Sequence, residues 1–384
     1  MSACAKSHEQ SRAVGAMDFE LRESQKELAA LSRQILTDQV TQERLRAVED
    51  SGVHFDRQLW ATLGEAGVIG AALPESIGGG GLDFLEQCSV LIEIGRAVAP
   101  VPYLPSVLAA AAIGYFGTDE QQARWAAPAA AGDLVLTLAL AEDLADSPEA
   151  PQTHAQASAE GWRITGSKAV VPFGTVADAF LLTAATEDGP ALFLVLPGDP
   201  GLTLEPQQLV DGDTVATLDL AGVQVGADRY VAGGDIPHWL VARTTVALAA
   251  YQTGVLERAL ELTAEYSRER KQFDRPIGSF QAVAQRLADA YIDVEAVRLT
   301  MWEAAWRIAE PLPCPTEIAT AKFWAADAGH RVAHTAVHVH GGTGIDLDAP
   351  THRYFTAAKR TEFTLGGATA QLRRLGEYLA ATPA

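Results

Sequence analysis

The sequence predicts an α+β protein in three successive parts: helical, then β, then helical. Three observations carry this. Apolar residues recur at helical spacing between Leu21 and Trp125. From Leu134 the pattern turns to short β-prone runs separated by Asp188-Gly-Pro190, Gly198-Asp-Pro-Gly201 and Asp211-Gly-Asp213. After Pro237 long helical patterns return.

Residues 1–16 are small and polar without periodicity, which predicts disorder. The N-terminal helical domain covers residues 17–132, opening on Leu21, Leu28, Leu31 and Ile35 and broken at Pro74 and Gly78-Gly-Gly-Gly81. Thr118 or Asp119 is placed to cap the next helix. The middle domain, residues 133–235, has β-prone runs at 134–140, 162–165, 169–171, 180–183, 192–196, 215–220 and 223–225. Their spacing predicts an antiparallel sandwich or barrel. The C-terminal domain, residues 236–384, reads as a four-helix bundle with helices over 238–270, 281–309, 317–339 and 367–381. Pro311, Pro313 and Pro315 part the second from the third, and Leu287, Tyr291, Val294 and Met301 mark a buried face on the second.

Bulk composition excludes several classes. The 384 residues carry a formal net charge of −20, so nucleic acid and anionic membrane surfaces are poor partners. The three cysteines, Cys4, Cys88 and Cys314, lie far apart with no C-x-x-C; neither a disulfide framework nor a zinc site is expected. That usage fits a reducing cytoplasm, and no signal peptide is visible at the start of the sequence. The most membrane-like window, residues 97–116, contains Pro100, Pro102 and Pro105 and reads as buried loop and helix.

Against this acidic background one basic island stands out: Arg268, Arg270, Lys271 and Arg275 lie within eight residues between two long helices. Pro276 and Gly278 turn the chain there, and Phe273 offers a flat apolar surface. Such an island suits an anion; it also suits a turn that complements a helix C-terminus. The full string, Arg270-Lys-Gln-Phe-Asp-Arg-Pro-Ile-Gly-Ser-Phe-Gln281, resembles the R-K-x-F-x-x-P-I-x-x-F-Q turn of acyl-CoA dehydrogenases. Leu73-Pro-Glu-Ser-Ile-Gly-Gly-Gly-Gly-Leu82, Glu93-Ile-Gly-Arg96 and Phe116-Gly-Thr-Asp-Glu120 are similar to segments of the same family, in the same order. His338-Val-His-Gly-Gly-Thr-Gly344 resembles its Q-x-x-G-G-x-G segment, with His338 where Gln is common. Gly341 and Gly342 also fit a helix C-cap. The resemblance spans residues 17–381.

What the resemblance implies is specific. The fold would be an N-terminal helical domain, a middle antiparallel β domain and a C-terminal four-helix bundle. The cofactor would be FAD, the substrate an acyl-CoA thioester and the electron acceptor electron-transfer flavoprotein. Arg270, Gln272, Phe273, Gln281, His338, Gly341, Gly342, Thr369 and Gln371 would touch the cofactor, the basic turn reaching a neighbouring subunit's FAD.

The family also requires a carboxylate to remove the α-proton, desolvated so that its pKa rises toward that task. Neither expected position supplies one. The late position falls on Gly367, or on Leu365 by the other alignment; the early one falls on Thr244, and no acid occurs from Trp239 to Leu256. Glu362 is the nearest carboxylate to the late position, and it reads as a solvated helix residue beside Lys359 and Arg360. The flavin-ring contacts depart too. In Leu140-Ala-Glu-Asp-Leu-Ala-Asp-Ser147 only Glu142 survives, and Val170 and Pro172 stand where relatives carry an aromatic and a hydroxyl residue. His330, His334 and His338 share a helical face, but without a complementary ligand set no metal is expected. The pattern resembles the base-lacking subunit of bacterial heteromeric α₂β₂ acyl-CoA dehydrogenases, completed by a paralogous subunit. Two alternatives stand beside it: a homotetramer with Glu362 as displaced base, and a scaffold that keeps only the fold.

Overall fold

A computed structural model describes residues 17, 19–143 and 147–381. The N-terminal helices are α1 (Glu23–Gln39), α2 (Gln42–Asp50), α3 (Arg57–Glu65), α4 (Phe84–Ala97), α5 (Tyr103–Phe116), α6 (Asp119–Gln121) and α7 (Ala127–Ala131). Asp56 caps α3, Asp83 caps α4 and Thr118 caps α6, each side chain accepting a backbone N–H of the first turn. The apolar window at 97–116 forms a buried loop and then α5, whose Val107–Ile113 stretch is almost wholly enclosed. Among the described residues no helix is long and apolar enough to cross a membrane. The expected disorder of residues 1–16 lies outside the described residues, as does Cys4.

The middle domain holds β1 (Leu136–Ala139), β2 (His154–Ser158), β3 (Gly161–Pro172), β4 (Ala179–Thr186), β5 (Gly189–Val195), β6 (Leu202–Gln208), β7 (Thr214–Val225) and β8 (Tyr230–Gly233). They form one sheet in the order β6-β7-β3-β2-β4-β5-β8, with β1 beside β4. The expectation of a purely antiparallel domain needs correction: β1 and β2 both run parallel to β4. Strands β2, β6 and β8 escaped the sequence reading, the first two for one physical reason. Both are largely solvent-facing, so neither carries the apolar signal that marks a core strand. Phe180, Leu182, Phe193, Leu218 and Val225 fill the sheet's own core.

The C-terminal domain is α8 (Ile236–Glu269), a hairpin of β9 (Lys271–Gln272) and β10 (Arg275–Pro276), α9 (Gln281–Ala309), α10 (Pro315–His340), α11 (Thr351–Phe363) and α12 (Ala368–Ala381). Helix α11 was not among the delimited helices, although Glu362 read as a helix residue, because its core side is not apolar throughout. Arg353 lies there, 8% exposed, and donates to Glu49 and Gln42 of α2. On α9 the buried stripe is Ala290, Val294, Val297 and Met301, whereas Tyr291 is 60% exposed, correcting the predicted face. Lys322, fully enclosed on α10, donates to the carbonyls of Thr361 and Glu362 and so satisfies the end of α11. Burial pulls its pKa down to about 7.

Helices α4 and α8 join the two helical domains by crossing at backbone distance. A Cβ on Gly95 would fall 2.1 Å from the carbonyl oxygen of Tyr251, and one on Gly254 would fall 1.9 Å from that of Ile92. Beside the crossing Arg96 donates to Glu257 at 2.9 Å and Glu261 at 2.8 Å, and the Tyr354 hydroxyl donates to the Arg96 carbonyl. Polar ties between the middle domain and the C-terminal helices include His238 with Glu149 at 2.6 Å, Arg360 with Asp211 and Asp213, and a longer bond from Arg374 to the Ser147 hydroxyl.

Gly254→Ala therefore forces α4 and α8 apart and should destabilise the chain by about 3 kcal/mol, read as a lowered urea midpoint; an unchanged midpoint would refute the close crossing. The His238–Glu149 tie has a pH signature. Glu149 raises the His238 pKa through their hydrogen bond, so that contribution is whole below the ordinary histidine value and is lost as pH rises through the raised one. Desolvation opposes but His238 prevails at Glu149, whose pKa is lowered; that contribution fades only in acid, as pH falls through the lowered value. Both groups are partly exposed, so the effect is at most about 1 kcal/mol. Wild type should exceed Glu149→Gln in urea midpoint near pH 6, with the gap closing in mildly alkaline buffer.

Candidate functional site

The basic island forms a tight hairpin. Phe273 and Asp274 both take left-handed backbone conformations, with φ of 52° and 62°, as a two-residue turn between paired strands requires. The turn presents Phe273 to solvent, 86% exposed. The Ile277 N–H donates to the Arg270 carbonyl at 2.8 Å, closing the base of the hairpin. Arg275 lies over the Phe280 ring at 4.2 Å, and Phe273 meets Phe280 edge-on. Arg270, Lys271 and Gln272 are exposed, as is Gln281 in the first turn of α9. Among the described residues none of Arg268, Arg270, Lys271 and Arg275 has an ion-pair partner. Four uncompensated cations around an exposed ring make a surface that suits phosphate and a flat base.

The glycine segment lies beside the helix that carries this turn. His340 ends α10 and stacks on Tyr266 of α8, ring centroids 4.4 Å apart, and the Tyr266 carbonyl accepts the Arg270 N–H. Gly341 has φ +63° and ψ −138°, a conformation open mainly to glycine. Gly341 and Gly342 are exposed, with nothing within 4 Å of a Cβ added at either, whereas one on Gly344 would strike Val337. His338 is exposed on the last turn of α10. The Tyr266–His340 stack, invisible in the sequence pattern, couples two segments far apart in the chain.

The positions expected to hold a base contain no acid. Thr244 is 5% exposed and its hydroxyl donates to the Leu240 carbonyl at 2.7 Å. Leu365 and Gly366 both have positive φ, 57° and 93°. Gly367 begins the turn into α12, and a Cβ there would meet nothing closer than 3.6 Å. Glu362 is half-buried rather than solvated: its carboxylate pairs with Lys359 at 2.5 Å and lies 3.4 Å from His330. Arg360 turns the other way, to Asp211 and Asp213. The His330 and His334 ring centroids lie 4.3 Å apart with the rings tilted by 37°, and among the described residues no group of three or more side chains is arranged to hold a metal.

Thr369 is exposed on α12, but Gln371 is wholly buried and its Nε2 donates to the carbonyls of Leu365 and Gly366. Gln371 lines a cleft between α8, α10, α12 and the middle domain, together with Glu149, His238, Thr245, Arg374 and Tyr378. The cleft holds only about 40 Å³, against roughly 300–1,000 Å³ for a ligand pocket, and the Glu149–His238 pair spans it. On the middle domain Glu142 is committed elsewhere: it accepts the buried Lys168 ammonium at 2.6 Å and the backbone N–H groups of Gln152 and Thr153. Val170 sits on a bulge of β3 with φ 51°, exposed and without a ring to stack. Residues 144–146 of the neighbouring segment lie outside the described residues.

Comparison with known proteins agrees with this architecture. The family model "Acyl-CoA dehydrogenase, N-terminal domain" matches residues 22–133, and "Acyl-CoA dehydrogenase, C-terminal domain" matches residues 234–379. Acyl-CoA dehydrogenase FadE27 of Mycobacterium tuberculosis is 50% identical over 96% of this chain and 100% of its own length. A crystal structure of the ChsE4-ChsE5 complex from Mycobacterium tuberculosis contains a chain with 50% identity and a TM-score of 0.93, covering 96% of this chain and 100% of that one. A chain from a variant of the Tcur3481-Tcur3483 steroid ACAD has 43% identity and a TM-score of 0.90, covering 94% of this chain and 98% of that one. With half its residues shared along nearly its whole length, the chain belongs to the acyl-CoA dehydrogenase family, oxidoreductases that act on CH–CH groups.

Proposed function

We propose that this chain is the non-base subunit of a heteromeric acyl-CoA dehydrogenase and completes the FAD site of a paralogous partner. The observation that carries the reading is an asymmetry. Where the family removes a proton and stacks a flavin ring, this chain has Thr244, Gly367 and Val170, neither an acid nor an aromatic ring. Where the family grips the nucleotide tail, Arg270, Gln272, Phe273, Gln281 and His338 are present and exposed, and Arg270 has no ion-pair partner among the described residues.

The two halves of FAD fare differently. A pyrophosphate fits the hairpin, because Arg270 has no competing carboxylate and offers charge-assisted hydrogen bonds. Phe273 and the open backbone at Gly341 and Gly342 suit the adenosine. The isoalloxazine lacks matching contacts, since Val170 and Pro172 stand where relatives carry an aromatic and a hydroxyl residue. FAD supplies the hydride acceptor in such assemblies; this chain's part is to bind and orient the tail through Arg270, Gln272, Phe273, Gln281, His338 and the Gly341-Gly342 loop, with Thr369 near the same end of the family's site. The substrate class is an acyl-CoA ester, and the likeness to a steroid ACAD favours a bulky sterol-derived acyl group. Electron-transfer flavoprotein is the acceptor the family implies, and the sparse, scattered cysteines fit a cytoplasmic setting. The displaced-base homotetramer finds no support in the geometry, since the Glu362 carboxylate is occupied by Lys359 and His330.

Co-expression tests the reading. The chain alone should purify colourless and inactive; with its paralogue it should yield a yellow complex that oxidises an acyl-CoA ester. Arg270→Ala should strip at least about nine-tenths of the flavin from that complex, losing a charged contact of roughly 2 kcal/mol, and full retention would sink the proposal. Gly367→Glu probes the missing base directly. A Cβ at 367 meets nothing closer than 3.6 Å, so the variant should fold, yet the chain alone should still show no turnover; dye reduction by Gly367→Glu alone would show that only the acid was lacking.

A further inference from the structure

We propose that Arg243, Trp239 and Tyr115 form a docking point for a carboxylate presented by the paralogous subunit. This rests on the heteromeric reading above and adds a contact away from the FAD tail. Arg243 lies on α8 beside Thr244 but points to the opposite side from the narrow cleft, toward α4 and α5. Its guanidinium stacks on Trp239 at 4.0 Å and faces Phe84 at 5.8 Å. Trp239 in turn meets Tyr115 and Phe116 edge-on, at 5.8 and 5.1 Å. Tyr115, at the end of α5, is 55% exposed, while Arg243 and Trp239 are half-buried.

What singles this group out is the missing anion. The chain holds 49 acidic residues against 29 lysines and arginines, and most of its half-buried arginines are paired: Arg44, Arg96, Arg229, Arg258, Arg307 and Arg360 all have carboxylates within reach. Arg243 has neither an ion pair nor a hydrogen bond among the described residues. Burial without a counter-charge draws its pKa down to about 10. A desolvated cation held by rings and left unpaired is a cost that an incoming carboxylate removes. The composition, Arg, Trp and Tyr at a half-buried surface, is that of interface hot spots. The occupant is the paralogous subunit of the heteromeric reading above, its carboxylate supplying the counter-charge that this chain does not place beside Arg243.

The experiment uses the complex of the full chain with its paralogue. A photo-crosslinking benzoyl-phenylalanine replaces Tyr115, and the crosslinked peptide is sequenced. A crosslink to a segment of the paralogue carrying Asp or Glu is expected. Arg243→Glu should then weaken assembly about 30-fold, and reversing the crosslinked acid to Lys should restore it. Crosslinks to a second copy of this chain, crosslinks only to segments without a carboxylate, or an unchanged dissociation constant with Arg243→Glu overturn the proposal. So does calorimetric binding of benzoate by the wild-type chain but not by Arg243→Gln in the absence of a crosslink, since the site would then take a small organic acid. Failure to co-purify with any paralogue overturns both readings; a flavin-loaded complex lacking the crosslink overturns this one alone.

Discussion

The arrangement depends on one backbone contact, the crossing of α4 and α8 at Gly95 and Gly254. Residue 254 lies ten positions after Thr244 and sixteen before Arg270. At 1.5 Å rise per residue, α8 carries both ends of the family's site on one rigid rod of roughly 50 Å. Where α4 pins that rod decides which face of its first turns meets the cleft and where its far end projects the basic hairpin. The ion network of Arg96, Glu257 and Glu261 lies beside the crossing, and its charges are met in place rather than left buried alone. Two methyl-sized changes would therefore act on the hairpin and the cleft together.

Charge is distributed with the same economy. In so acidic a chain an arginine near other side chains finds a carboxylate almost by default. The exceptions are informative for that reason. The hairpin cations stay unpaired at the surface, where water solvates them until an anion arrives, so they cost little while waiting. Arg243 is unpaired while half-buried, which costs more and points to a standing partner rather than a passing ligand. Lys168 and Lys322 show the opposite solution: each is wholly enclosed, one beside Glu142, the other against two helix-end carbonyls.

The sequence revealed elements whose burial follows a simple period and missed those whose burial does not. Helices α8, α9 and α10 were placed to within a few residues because each carries a long apolar stripe. Helix α11 was missed because Arg353 occupies its core side, an arrangement stable only once Glu49 arrives from some 300 residues away. Strands β2 and β6 were missed because their side chains face water. The basic hairpin was legible as local charge in a contrary background, and the missing acids were legible as residue identities. The lining of the cleft was not, since it brings together Glu149 and His238 and folds the Gln371 amide back onto its own loop. No local pattern encodes either contact.

On the non-base reading proposed above, the missing acid has a physical rationale. A carboxylate desolvated for proton removal is costly when it has no substrate proton to take. Thr244 carries no charge, and its hydroxyl is satisfied by the Leu240 carbonyl of its own helix. Glycine at 367 adds neither charge nor side chain to the turn into α12. The basic hairpin is exempt from this logic, because its cations stand in water at the surface and carry little desolvation cost while no anion is bound.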